Sequence, residues 1–182
     1  YIVGSSDVYM NVYHLTEQQY GWAFAIVAFG MIGTTQTNHL LLRHYKSESL
    51  VKVALIYQTI VGILLLVGTI YGWYGLYSFT ALVFLFVAGH GIMTPNVTAL
   101  AMAPFSRNAG SASALLGSFR LTAGAVVSAL VSILHDGTSL PMTMMMLACA
   151  LVGLIFLGSS KVVAKQKSKK LEREAAAIVD PL

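Results

Sequence analysis

Five apolar runs follow one another along the chain, each near the ~20 residues a helix needs to cross a bilayer core. They cover Tyr20–Leu42, Leu50–Tyr71, Leu76–Ala103, Gly110–Leu134 and Leu140–Ser159, and a shorter stretch broken by Ser5, Ser6 and Asp7 precedes them. Hydrocarbon offers no partner to a backbone N–H or C=O, so only helices and closed barrels span it. The alternating pattern of barrel strands is absent, and uninterrupted apolar runs of this length exclude a soluble β-protein. The sequence therefore predicts an all-α fold, a polytopic transmembrane helix bundle. Composition agrees: 57% of the 182 residues are hydrophobic, 10% are charged, and the mean hydropathy is +0.74. A soluble domain would carry about a quarter charged residues.

The connectors are short: Tyr13–Gln19, Arg43–Ser49, Gly72–Gly75, Pro104–Ala109 and His135–Ser139. Arg43, Lys46, Lys52 and Arg107 fall at one set of span ends, and the tail adds Lys161, Lys165, Lys167, Lys169, Lys170 and Arg173. The alternate connectors hold only Glu17 and Asp136. Ten of the 11 basic residues thus share one side, which the positive-inside rule makes cytoplasmic. Trp22, Tyr71, Trp73, Tyr74 and Tyr77 gather at the opposite ends, where an aromatic belt belongs. This segregation accounts for the net charge of +4 without a phosphate-binding face, so no nucleic-acid partner is expected. The lone Cys149 supports neither a disulfide framework nor a thiolate metal site, and no cofactor is implied. Residues 1–160 are expected to form a six-span membrane unit whose first helix is truncated, the chain beginning inside a span. Residues 161–182 form a basic cytoplasmic tail continuing helically from the last span.

The spans differ in polarity. Leu50–Tyr71, with Tyr57, Gln58 and Thr59 as its polar cluster, and the Met- and Leu-rich Leu140–Ser159 read as lipid-facing scaffolding. Tyr20–Leu42 carries Thr34, Thr35, Gln36, Thr37 and Asn38, and Leu76–Ala103 carries His90, Thr94, Asn96 and Thr98. Polar groups at membrane depth need partners or a wet cavity. Thr34, Thr35 and Thr37 are expected to bond their own helix. Gln36 and Asn38 either tie helices together or line a pathway. Pro95, flanked by Gly89 and Gly91, removes a helix bond and predicts a kink or unwound hinge at mid-span. His90 either titrates or bonds a carbonyl.

Arg120 stands in the middle of Gly110–Leu134, a run otherwise free of charge. A cation at that depth costs roughly 3 kcal/mol on insertion scales, so it is expected to face protein or water. Gly110, Ala114, Gly117, Gly124 and Ser128 form a stripe of small residues on the same helical face, which predicts close approach of another helix. Arg120 either forms a structural ion pair with Asp7 or serves a substrate or proton pathway. The pathway set is Arg120, Asp7, Gln36, Asn38, His90 and Asn96.

The stretch from Pro95 to Met102, PNVTALAM, followed by Ala109 to Gly117, AGSASALLG, resembles the junction between the tenth and eleventh helices of the Bcr/CflA drug-resistance transporters of the major facilitator superfamily. Tyr1 to Ser6, Leu15-Thr16 and Tyr20-Gly21 resemble that family's seventh helix and outer loop, and Asn38 to Arg43 its eighth helix end. The resemblance covers about residues 1–160. It implies a six-helix C-terminal half, helices seven to twelve, of a proton-driven antiporter that expels drugs or metabolites by alternating access. It further implies a bacterial inner membrane, a small-molecule substrate, protons, and an N-terminal six-helix half beyond this sequence. Asp7 and Arg120 depart from the family, which has Pro and an uncharged residue there. The departures suggest a compensating pair and a substrate other than lipophilic cations.

Two other classes compete. An intramembrane enzyme would show a His-Glu-x-x-His motif, a Gly-x-Ser-x-Gly elbow or paired carboxylates, and none is present; His90, Ser111 and Asp7 have no triad spacing. A non-transporting scaffold or sensor would use the polar residues only for assembly.

Overall fold

A computed structural model describes the backbone of residues 1–134 and 136–179, with side chains except those of residues 106, 107 and 160–179. All regular structure among them is helical. Helix α1 (Ile2–Asp7) runs on into a π-helical turn, Val8–Val12. Then come α2 (Glu17–Leu41), α3 (Ser47–Ile70), α4 (Leu76–Met102), a 3-10 segment (Ala103–Asn108), α5 (Ala109–Ile133) and α6 (Leu140–Val179). The transmembrane bundle predicted from the sequence is the fold observed.

Helix α2 starts at Glu17 rather than Tyr20 because Thr16 caps it. The Thr16 hydroxyl accepts from Gln19 N at 3.3 Å, and Gln19 Oε1 accepts from Thr16 N at 3.0 Å. This reciprocal pair is a capping box. Among the described residues, four helices are long and apolar enough to cross a membrane: α3, α4 with its extension to Phe105, α5, and α6 as far as Ser159. The fifth predicted span, α2, has 25 residues but is not among them. Its run from Thr34 to His39 dilutes its apolar character.

Helix α4 packs along both α2 and α3, and α3 packs along α6, whereas α5 touches its neighbours sparsely. A buried cluster of Val8, Tyr9, Val27, Leu65, Phe79, Val83, Met142 and Met146 holds one end of the bundle together. Trp22, Tyr71, Trp73 and Tyr77 stay exposed, as belt residues should. The expectation that α3 is lipid-facing scaffolding is overturned. Half of its most apolar stretch is buried, the largest share of any span. Its polar cluster explains why: Gln58 Nε2 donates to Phe86 O at 3.1 Å and Tyr57 OH to Leu85 O at 3.1 Å, tying α3 to α4.

The predicted unwinding at Pro95 is also absent. Helix α4 is continuous across it, and the non-helical backbone lies farther on, at Phe105 (φ −108°, ψ 32°). The backbone of α6 carries on past Ser159 to Val179, so the last span and most of the tail form one helix. The tail's basic side chains, that of Arg107, residue His135 and residues 180–182 lie outside the described residues.

Candidate functional site

Helices α2 and α4 meet along a polar seam. Pro95 has no N–H, so the carbonyl four residues earlier, that of Gly91, loses its helical donor. Thr35 Oγ1 supplies a replacement from α2, sharing its proton between Met31 O at 2.8 Å and Gly91 O at 3.1 Å. Thr34 Oγ1 lies 2.7 Å from Ala88 O on α4, closer than to Gly30 O (3.1 Å) or Met31 O (3.0 Å) on its own helix. Thr34, Thr35 and Thr37 all bond their own helix as expected, Thr37 to Gly33 O at 2.9 Å, and Thr34 and Thr35 in addition bridge to α4. Gly91 is what allows the approach, since a Cβ there would overlap Met31 O and Thr34 Oγ1. Gly89 turns toward α3, where a Cβ would lie 3.0 Å from Gln58 Cγ. The predicted hinge residues are therefore held in packed helix.

One turn beyond Gly91 the seam continues with Asn96 Nδ2 donating to Asn38 Oδ1 at 2.7 Å and to Ile92 O at 2.8 Å. Both asparagines are buried. Asn96 Oδ1, also buried, has no hydrogen-bond partner among the described residues. Two residues on, Thr98 Oγ1 donates to Thr94 O at 2.7 Å and accepts from Arg120 Nη2 at 2.5 Å. Asn96 thus ties α4 to α2, and Thr98, two residues on and on the opposite side of the helix, ties α4 to α5. Thr98 is one of the polar residues of Leu76–Ala103 but lies outside the predicted pathway set. Its distance from Arg120 in sequence, 22 positions, conceals the contact.

The other predicted pathway residues lie apart. Gln36 is exposed on α2, and two residues of helix turn it well away from Asn38. His90 lines a large, half-open cavity together with Gln58 and Ser128. Asp7 accepts from Asn11 Nδ2 at 2.6 Å and borders a smaller cavity with Val131, Ser132 and Thr138. Ser132 is twelve residues beyond Arg120 on α5, about 18 Å at 1.5 Å per residue. A hydrogen bond of Arg120 goes to Thr98, and one to Asp7 comes from Asn11.

Two expectations about α5 change. Arg120 remains exposed on this unit while reaching Thr98, and it is not a wall of the large cavity that Gly124 and Ser128 line. The small-residue stripe does not bring a helix close, because a Cβ on Gly110, Gly117 or Gly124 would meet nothing within 4 Å. No residue of α5, Ala114 included, is buried.

No family model and no solved structure matches the chain. Among curated proteins, a bicyclomycin resistance protein homologue of Haemophilus influenzae is 26% identical over 155 residues, 85% of this chain and 39% of the relative. An uncharacterised MFS-type transporter of Bacillus subtilis is 31% identical over 170 residues, 92% of this chain and 42% of the relative. The chain spans about two fifths of the length of these relatives. The resemblance to a Bcr-type transporter of the major facilitator superfamily is shown by these matches, and the chain is a multi-pass membrane protein.

Proposed function

We propose that this chain supplies one six-helix half, helices seven to twelve, of a secondary transporter that exports drugs or small metabolites in exchange for protons. The observation that carries the reading is Arg120: a guanidinium at mid-span, exposed on the unit yet bonded to Thr98 of the neighbouring helix. Left against acyl chains, such a group costs roughly 3 kcal/mol or more. Water or protein on that face removes the cost, and a substrate path between two halves supplies both.

The guanidinium has five N–H donors, of which one serves Thr98. The rest are available to an anionic or strongly accepting group on a substrate, or to a carboxylate whose proton affinity they lower. The names of the relatives support drug transport and their sources a bacterial cell membrane, and the segregated basic residues support a cytoplasmic tail. Neither an enzymatic step nor a nucleic-acid partner belongs to this reading.

The test uses the full-length protein in proteoliposomes under an imposed pH gradient, with a panel of small molecules that includes bicyclomycin. At least one compound should be exported in a gradient-dependent manner, and Arg120→Ala should lower its flux at least about tenfold, about 1.4 kcal/mol, with insertion unchanged. Normal flux from Arg120→Ala at normal expression would reduce Arg120 to packing. Absence of gradient-coupled flux across the whole panel would leave an assembly scaffold as the better account.

A further inference from the structure

Arg120 reaches α4 through one of its three nitrogens. Nη2 donates to Thr98 Oγ1 at 2.5 Å, and that hydroxyl donates in turn to Thr94 O, on its own helix, at 2.7 Å. We infer that Thr98 is a positioning residue for Arg120, and that the guanidinium it holds selects substrates carrying a single carboxylate. This substrate class rests on the transporter reading above and narrows it.

The Thr98 hydroxyl is one-sided. A threonine has one O–H donor and two acceptor lone pairs. Its hydrogen is committed to the α4 backbone, the back-bond to the carbonyl four residues earlier that Thr makes inside helices. The side of the oxygen turned to α5 therefore offers only lone pairs, which attract a cation and repel an anion. Thr98 holds Arg120 and leaves the ligand to it.

The identity of the donating nitrogen matters as much. A guanidinium presents two forked edges, Nε–H beside one Nη2–H and Nη1–H beside the other Nη2–H. Nη2 is the nitrogen common to both. Thr98 takes one Nη2 hydrogen, so one fork is engaged and the other stays complete, whichever hydrogen is used. A complete fork matches the two oxygens of a carboxylate in a bidentate pair. Held at one corner, it loses less freedom when the ligand arrives.

Space and charge fix the class. Arg120 is exposed on α5, and a Cβ on Gly117 or Gly124, three residues before it and four after, would meet nothing within 4 Å. Among the described residues, a ligand group therefore finds room beside the guanidinium. Neither α4 nor α5 contains another Asp, Glu, Lys or Arg. One positive charge at membrane depth neutralises one negative charge. A doubly ionised phosphate or dicarboxylate would leave a charge without a partner where water is scarce, and that is heavily penalised. A carboxamide sets its NH2 donors against one arm of the fork, and a cationic group is repelled.

The test uses the full-length protein purified in detergent. Aromatic and aliphatic monocarboxylates, each with its carboxamide and its phosphonate, are titrated calorimetrically at a pH where the phosphonate is doubly ionised. On the wild-type chain at least one carboxylate should bind at least about tenfold tighter than both of its analogues. Thr98→Val keeps the shape and removes the acceptor. It should weaken that carboxylate at least about tenfold and leave the carboxamide within about twofold. Thr98→Ser should restore the carboxylate to within about threefold of wild type. A hydroxyl that only ties two helices would weaken both ligands alike or neither, and either result overturns the positioning role.

Should Thr98→Val not accumulate, the wild-type ranking and Arg120→Lys decide. Lysine keeps the charge and loses the fork, so carboxylate affinity should still fall at least about tenfold. Lysine serving as well as arginine overturns the inference. So does binding or gradient-driven export of neutral or cationic compounds with no carboxylate bound, a result that leaves the transporter reading standing. Failure of every compound, whatever its charge, to be bound or exported overturns that reading and this substrate class together.

Discussion

Helices α3 and α5 have 24 and 25 residues, and both are apolar enough to cross a membrane. Half of the most apolar stretch of α3 is nevertheless buried in the unit, and none of that of α5 is. The more apolar helix is at the centre and the one with the guanidinium is at the rim. In water such sorting would follow from hydrophobic burial. In lipid it cannot, because acyl chains are as apolar as leucine, and association follows shape and hydrogen bonding instead. Helix α3 has both: carbonyls of α4 accept from Tyr57 and Gln58, and Gly62 and Gly68 let neighbouring side chains lie close. Helix α5 contributes the bond from Arg120 to Thr98 and a face of small residues that nothing described here covers.

Truncating the core of α3 should give the largest effect on stability. Leu65 is fully buried among Val8, Phe79 and their neighbours. Leu65→Ala should cost about 2–5 kcal/mol, read as a fall in Tm of the full-length protein in detergent. A cost under about 1 kcal/mol would mean that α3 is not the packed centre, and the contrast with α5 would dissolve.

A smaller effect is expected where two polar helices are tied together. The Asn38–Asn96 bond is buried and direct, at 2.7 Å. Bonds of this kind in membrane proteins average about 0.6 kcal/mol and reach about 1.7. A double-mutant cycle with Asn38→Ala and Asn96→Ala should return a coupling in that range. Strict additivity would show that the seam holds no energy, leaving α2 joined to α4 by shape alone.

Four of the five full spans and their order were legible in the sequence because the bilayer imposes a length, which does not depend on which helix touches which. Neighbour relations were not legible. Tyr57 and Gln58 looked like minor polarity on a lipid-facing helix, since nothing in the residues shows that carbonyls of α4 lie opposite. Pro95 announced a freed carbonyl, that of Gly91, but the Thr35 hydroxyl that caps it is 56 positions earlier, and in place of the unwinding that was one of two alternatives there the helix is continuous. One local signal was present and unused: Thr16 with Gln19 three residues later marks the start of α2 inside what the hydropathy pattern assigns to a connector.

The smallest expected change in stability separates three surroundings for the guanidinium. If Arg120 stands at a wet pathway, Arg120→Ala removes one bond to Thr98 and little else, and stability should move by no more than about 0.5 kcal/mol, as at an ordinary surface position. If the group faces lipid, the same change removes a cation from hydrocarbon and should stabilise the protein by roughly 3 kcal/mol or more. If a carboxylate from elsewhere in the full-length protein buries it as an ion pair, the loss should approach about 3–5 kcal/mol. The sign and size of one Tm shift therefore distinguish a solvated rim from a greasy one and from an occluded one. Helix α5 keeps its place opposite α3 in the comparison only if that shift is near zero.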